Sequence, residues 1–205
     1  MLWHGWLNGL SVGFHMMASA SRLPRVLTAC VLSVTVLGMM FLASVVSPTV
    51  QAEPPSNHPK VCFSPEGHCA SVILDQIGLA QRSIRVQAYS FTSRDIAEAL
   101  IAAAQRGVDV AVIVDKSQTS ERYSVLPLLN EAHLSVFIDY CCAIAHNKVL
   151  IIDENRLITG SYNFTKAAEA KNAENLLLLD DPILAKSYLA NWDMHRAGAE
   201  KLAMR

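Results

Sequence analysis

Ala145-His146-Asn147-Lys148-Val149-Leu150-Ile151-Ile152-Asp153, followed by Gly160-Ser161-Tyr162-Asn163-Phe164, is the stretch whose reading decides the fold. Residues 148–152 and 156–159 are short runs rich in Leu, Ile and Val, separated by the polar Asp153-Glu154-Asn155. Two such runs about a short polar turn read as an antiparallel hairpin. On an extended chain, residues two apart project to the same face. His146 therefore shares a face with Lys148, and Ser161 shares one with Asn163.

Outward from this hairpin, helix and strand signals alternate. Residues 70–82 carry Val72, Ile73, Gln76, Ile77 and Ala80 on one stripe, which predicts a helix. Residues 84–91 read as a strand. Thr92 or Ser93 is placed to cap a helix that turns Ile96, Leu100, Ile101 and Ala104 inward. Gly107 is placed to end that helix in the left-handed region. Strands are expected at 108–114, 134–139 and 175–179, with helices at 124–132 and 182–196, the last opening on Pro182. There is no internal repeat. Repeated alternation plus one hairpin implies an α/β domain, a mixed β-sheet flanked by helices on both faces.

The chain has 205 residues with 17 Lys plus Arg and 18 Asp plus Glu. Residues 1–52 contain Arg22 and Arg25 and no acidic residue, so residues 53–205 carry a net charge of −3. That excludes a globally basic nucleic-acid binder, and any polyanion must be held by a local patch. The uncharged apolar run 26–46 follows the two arginines, Ser47-Pro48 breaks it, and Val50-Gln51-Ala52 offers a small-residue cleavage pattern. This is the layout of a secretory signal, with an uncleaved anchor as the alternative. Either way the domain is expected to be exported: periplasmic or secreted, or held at the inner membrane by 26–46. Residues 1–15 are unlike a signal's leading region, which points to a start at Met16 or Met17. Residues 53–60 read as a Pro-rich linker, 61–197 as the single folded domain and 198–205 as a tail.

Four cysteines fall in the exported part. Cys62 and Cys69 bracket a short loop and are the first expectation for a disulfide, whereas Cys141 and Cys142 are adjacent and not expected to pair with each other. The spacing of a Cys₄ zinc site is absent, so no metal ligand and no cofactor is assigned. His58, His68, His133 and His195 have no partner at a meaningful spacing and are read as ordinary polar residues.

His146 and Lys148 carry the chemistry. A neutral imidazole beside a fixed cation suits attack on an anionic phosphodiester, the lysine holding non-bridging oxygens while ring nitrogen meets phosphorus. Gly160 lets backbone approach closely, and Ser161 and Asn163 can complete a phosphate cradle with Lys148. A metal site on His146 and Asp153 is the competing reading, weakened by the positive charge of Lys148 on the same face. Asp153 falls in the hairpin turn, where bonding backbone amides is the expected job.

H-x-K-x₄-D followed by G-S-x-N resembles the signature of the phospholipase D superfamily, matched by His146, Lys148, Asp153, Gly160, Ser161 and Asn163. The similarity extends through Val86–Thr92, Arg106-Gly107-Val108-Asp109-Val110, Asn163-Phe164-Thr165-Lys166-Ala167-Ala168 and Asn172-Ala173-Glu174-Asn175 to the small bacterial Nuc-type endonucleases, over roughly 61–197. The resemblance implies a metal-independent phosphodiesterase in which His146 forms a phosphohistidine that water resolves. Lys148, Ser161 and Asn163 would bind phosphate, and Glu174 would hydrogen-bond the nucleophilic ring. Because this chain has one H-x-K copy, the general acid is expected to be His146 of the partner subunit in a two-fold homodimer with a shared active site.

The expected substrate is nucleic acid, DNA or RNA, cleaved without sequence preference at a groove made basic by Lys148, Arg122, Lys166 and Lys171. The alternative is a phospholipase D acting on phosphatidylcholine or another headgroup, although 53–205 shows no amphipathic basic helix for interfacial docking. An inactive nucleic-acid-binding module is disfavoured, since it has no need of both His146 and Glu174.

Overall fold

In the computed structural model, which describes residues 59–203, the hairpin lies in the middle of an eight-stranded sheet. The strands are β1 (Lys60–Ser64), β2 (Ser83–Ala88), β3 (Asp109–Asp115), β4 (Ser135–Asp139), β5 (Lys148–Ile152), β6 (Arg156–Gly160), β7 (Glu174–Asp180) and β8 (Glu200–Lys201). Their spatial order is β1-β7-β6-β5-β2-β3-β4-β8. β2, β3 and β4 are parallel, and every other pairing is antiparallel. The mixed sheet is as the alternation implied.

β5 is buried along its whole length because both of its faces are covered. Leu150 and Ile152 join α1 (Cys69–Leu79), α2 (Arg94–Gln105) and α3 (Leu126–Glu131) in one core, through Ile73, Ile77, Ile96, Leu100 and Leu129. Val149 and Ile151 face the other way, against Ala185 and Trp192 of α5 (Pro182–Gly198). The Trp192 indole N–H donates to the Val86 carbonyl at 2.9 Å, which fixes that helix on the sheet. Each fully buried Ile or Leu contributes about 1.5–3 kcal/mol of transfer free energy, so the site-bearing hairpin rests on the most strongly held part of the molecule.

Local rules explain the boundaries. Ser93 caps α2 by accepting from the Ile96 amide, and Gly107 follows that helix at φ 91°. β2 stops at Ala88, three residues short of the expected end, because Tyr89 turns its amide to the Asn147 carbonyl at 2.8 Å. Cys62 is bonded to Cys69, as expected, and so ties β1 to the start of α1.

The ordered sheet is wider than 61–197. Lys60 pairs with Leu178, and the segment read as a tail pairs with β4 through Glu200 and Lys201. Two strand residues carry no apolar pattern, so β8 had no signal to read. The short helix α4 (Lys166–Ala170), capped by Thr165, was also not anticipated. The leader, its cleavage point, the start residue, His58 and most of the linker lie outside the described residues. Among the described residues, no helix is long and apolar enough to cross a membrane.

Candidate active site

The open end of the hairpin gathers the motif. His146 sits on the loop entering β5 and is exposed, while Lys148, the first residue of β5, is only 7 % exposed. The lysine Nζ donates to the His146 carbonyl at 2.8 Å. Both residues share one neighbour: the Tyr89 ring lies 4.5 Å from the imidazole, and the lysine Nζ lies 5.1 Å from the Tyr89 ring centre. A cation against a ring face is attractive, so Tyr89 orders the pair. Burial lowers the Lys148 pKa, and the negative charge of Glu174 opposes that shift.

The second half of the site comes from the segment after β6. Gly160 has φ 153°, and a Cβ there would stand 2.3 Å from the Asn175 carbonyl oxygen. Only glycine fits this close approach. It lets the amides of Ser161 and Tyr162 donate to that same carbonyl, at 3.1 and 3.3 Å. Ser161 Oγ donates to Glu174 Oε2 at 2.6 Å and accepts from the Asn175 amide at 3.0 Å. Asn172 Nδ2 donates to Glu174 Oε1 at 3.0 Å.

Two residues of the expected site bond each other within one chain. Glu174 was expected to bond the His146 ring; its oxygens accept from Ser161 and Asn172, and each keeps a lone pair for a further donor. Ser161 was expected to bind phosphate; within this chain its hydroxyl donates to Glu174. These two residues form a bonded brace whose charge faces Lys148. Asn163 differs: its Oδ1 is buried and finds no hydrogen-bond partner among the described residues. That oxygen is an acceptor and takes a donor, so a phosphate oxygen would be met by the side-chain NH2 instead.

Asp153 lies at the opposite end of the hairpin, where it accepts from the amides of Gln81, Arg82 and Ser83 at 2.7–3.2 Å. Its role is structural, and it is not joined to His146. Of the expected basic residues, Lys166 and Lys171 line an open groove of about 1040 Å³ beside Tyr89 and Asn163. Arg122 lines a neighbouring cleft instead, and Arg94, not anticipated, lines the groove. Tyr89, Asn172 and Asn175 belong to segments whose similarity was noted, yet nothing in their spacing assigned them a role. His68 and His133 take left-handed turn positions, while His195 bonds Asp139 at 2.7 Å rather than standing alone.

The chain is similar to several known proteins. Residues 73–195 match the family described as cardiolipin synthase, PLD-like domain. A protein named phospholipase D from Rickettsia typhi is 46% identical over 136 residues, covering 66% of this chain and 67% of that one. A mitochondrial cardiolipin hydrolase from Xenopus laevis is 33% identical over 144 residues, 69% of each chain. Among solved structures, Nuc, a phospholipase D family member from Salmonella typhimurium, superposes with a TM-score of 0.68 at 38% identity, covering 71% of this chain and 97% of that one. With the paired motif gathered at one end of a mixed sheet, the chain belongs to the phospholipase D superfamily, as a phosphodiesterase of that group.

Proposed function

We propose that the protein is a metal-independent endonuclease that hydrolyses DNA or RNA, without sequence preference, as a homodimer. The observation that carries this reading is the groove that begins at Tyr89 and Asn163 and is lined by Lys166, Lys171, Tyr123 and Arg94, the last paired with Glu98, with Glu121 and Glu131 also on its wall. Cations that follow a polyanionic backbone, interleaved with aromatic rings on which bases stack, suit a nucleic-acid strand. Among the described residues, Lys166 and Lys171 are the unpaired cations of that lining, on a segment 53–205 whose net charge is −3.

The reaction runs in two displacements. A His146 ring nitrogen attacks phosphorus, forming the P–N bond as the P–O bond to the leaving group breaks. The leaving oxygen takes a proton from the imidazolium of His146 of the partner subunit. Water then attacks phosphorus and gives its proton to that same partner imidazole, and the P–N bond breaks. Lys148 holds non-bridging oxygens, and the Asn163 side-chain NH2 is the group of that amide that can donate to them. The second imidazole is assigned to another copy because the chain has one H-x-K copy and, among the described residues, the other histidines His68, His133 and His195 are placed elsewhere in the fold.

The relatives named phospholipase D and cardiolipin hydrolase favour a second reading, hydrolysis of a phospholipid headgroup ester. One experiment separates the two. Purified protein receives plasmid DNA and, in parallel, liposomes of phosphatidylcholine with cardiolipin, both with EDTA. Nicked plasmid, abolished by His146→Asn, is expected; headgroup release without nicking would establish the second reading. Nicking lost in EDTA and restored by Mg²⁺ would refute the metal-independent route.

A further inference from the structure

Where β4 ends, side chains from two distant segments converge. Asp139 closes β4, Cys141 and Cys142 follow it, and His195 comes from the last turn of α5. Nδ1 of His195 lies 2.7 Å from Asp139 Oδ2 and 3.5 Å from Cys141 Sγ. The ring nitrogen thus stands against a carboxylate oxygen and a sulfur at once. The three donor atoms lie within 4.8 Å of one another. Their footing is firm: the Asp139 side chain is fully buried and the His195 side chain 12 % exposed. Both cysteines are free and open to solvent, which gives an ion access.

The distances fit a particular coordination. A tetrahedral ion with Zn–S of about 2.3 Å and Zn–N of about 2.0 Å sets sulfur and nitrogen about 3.5 Å apart. That is the separation found between Cys141 Sγ and His195 Nδ1, 3.5 Å. The oxygen–nitrogen edge of the same figure is about 3.3 Å, so the Asp139–His195 bond opens slightly when an ion enters. Asp139 Oδ1 accepts from the Cys141 amide at 2.9 Å, leaving Oδ2 as the single ligating oxygen. Cys142 Sγ, 2.8 Å from Cys141 Sγ, is too close to share the ion at a sulfur–sulfur edge of about 3.8 Å. The fourth position is left to solvent.

We infer that Asp139, Cys141 and His195 form a binding site for a thiophilic divalent cation of the zinc type, distinct from the phosphodiesterase site. Carboxylate, thiolate and imidazole are the donor set such an ion selects. The ion ties α5 to the loop that runs from Cys141 to His146. That loop is already held by Lys116 Nζ on the Cys142 carbonyl at 2.8 Å and by the Ala145 amide on Asp115 Oδ2 at 2.7 Å. The site is a clamp on the nucleophile's loop and takes no part in phosphoryl transfer. It was invisible in the sequence because its ligands span 54 residues between Cys141 and His195.

The test is cobalt and zinc titration of the reduced, metal-free full-length chain. One equivalent of Co²⁺ is expected to give a thiolate-to-cobalt charge-transfer band, displaced by one equivalent of Zn²⁺. Cys141→Ser abolishes the band, His195→Gln weakens cobalt affinity at least about tenfold, and Cys142→Ser keeps it. Circular dichroism verifies that each variant is folded, and the two exposed cysteine variants carry the test if His195→Gln is not. Absence of the band, or its survival in Cys141→Ser, overturns the inference. So does finding Cys141 and Cys142 quantitatively joined to each other in protein isolated without reductant.

Discussion

The two ends of the β5–β6 hairpin are built from one continuous motif and do opposite things. At the open end, Lys148 is buried with its charge turned toward the site, and Asn163 keeps an amide oxygen without a partner. At the turn end, Asp153 sits at φ 52° with its carboxylate saturated by three backbone amides. Bonding is left incomplete at Asn163 and completed at Asp153, the end that holds the fold. The spacing between H-x-K and D in this chain therefore has a mechanical meaning: a strand of five residues links the motif end to an anchored one.

The largest effect should come from breaking the reactive end. Lys148→Met keeps the length of a buried side chain but removes the charge facing Glu174. Loss of one such electrostatic contact to a developing anion is worth about 10²–10³ in kcat. Hydrolysis of a chromogenic phosphodiester is expected to fall by that factor while thermal stability changes little. An equal fall in stability would move Lys148 to the structural side of the comparison.

Gly160→Ala should come next, acting on fold and activity together. The added methyl meets the Asn175 carbonyl oxygen at 2.3 Å, the atom that receives the Ser161 and Tyr162 amides. Backbone strain of this kind costs on the order of 1–3 kcal/mol. Denaturant unfolding should show a lowered midpoint, and residual activity at low temperature should stay depressed because Ser161 and Glu174 shift with the backbone.

Asp153→Asn is the matching break at the turn. Burial alone would raise the Asp153 carboxyl pKa, but the amides of Ser83, Arg82 and Gln81 and the Arg82 charge outweigh it and hold the value below the ordinary range. A depressed folded-state value means the stabilisation is complete above the ordinary carboxylate pKa and is lost as pH falls through the folded one. The variant should lose about 2 kcal/mol at neutral pH and show a flatter acid limb in denaturant unfolding. Its rate on the chromogenic substrate should match wild type below its melting transition.

Much of this contrast was legible in the residues. The apolar runs about Asp153-Glu154-Asn155 exposed the hairpin, and period-two spacing put His146 with Lys148. Side-chain saturation was not legible. Whether Ser161 offers its proton to phosphate or to Glu174 depends on β7 lying beside β6, a pairing 13 residues apart in sequence. For the same reason Asn172 and Asn175 carried no role until the sheet was assembled, and Arg122 was assigned to a groove it does not line. Proximity along the chain paired His146 with Lys148 and carried no information on the hydrogen bonds around them.

The smallest effect tests whether the open end has a structural side of its own. Tyr162 lies between Ser161 and Asn163 and is buried, and its hydroxyl donates to Glu169 Oε2 at 2.8 Å. That oxygen also accepts from the Ala70 amide at 2.9 Å, which joins α4 to the start of α1. Burial, with the Glu169 hydrogen bond and charge, raises the phenol pKa. A raised value for an acid favours the protonated form when folded, so its stabilisation is complete below the ordinary phenol pKa of about 10 and declines above it. Tyr162→Phe should therefore cost about 1 kcal/mol near neutrality. Because the variant has no hydroxyl to ionise on unfolding, the gap to wild type should narrow between pH values of about 9 and 11. Unfolding curves across that interval measure the gap directly. A gap that stays constant would mean the phenol is not held protonated by Glu169, and Tyr162 would then stabilise the open end by packing alone.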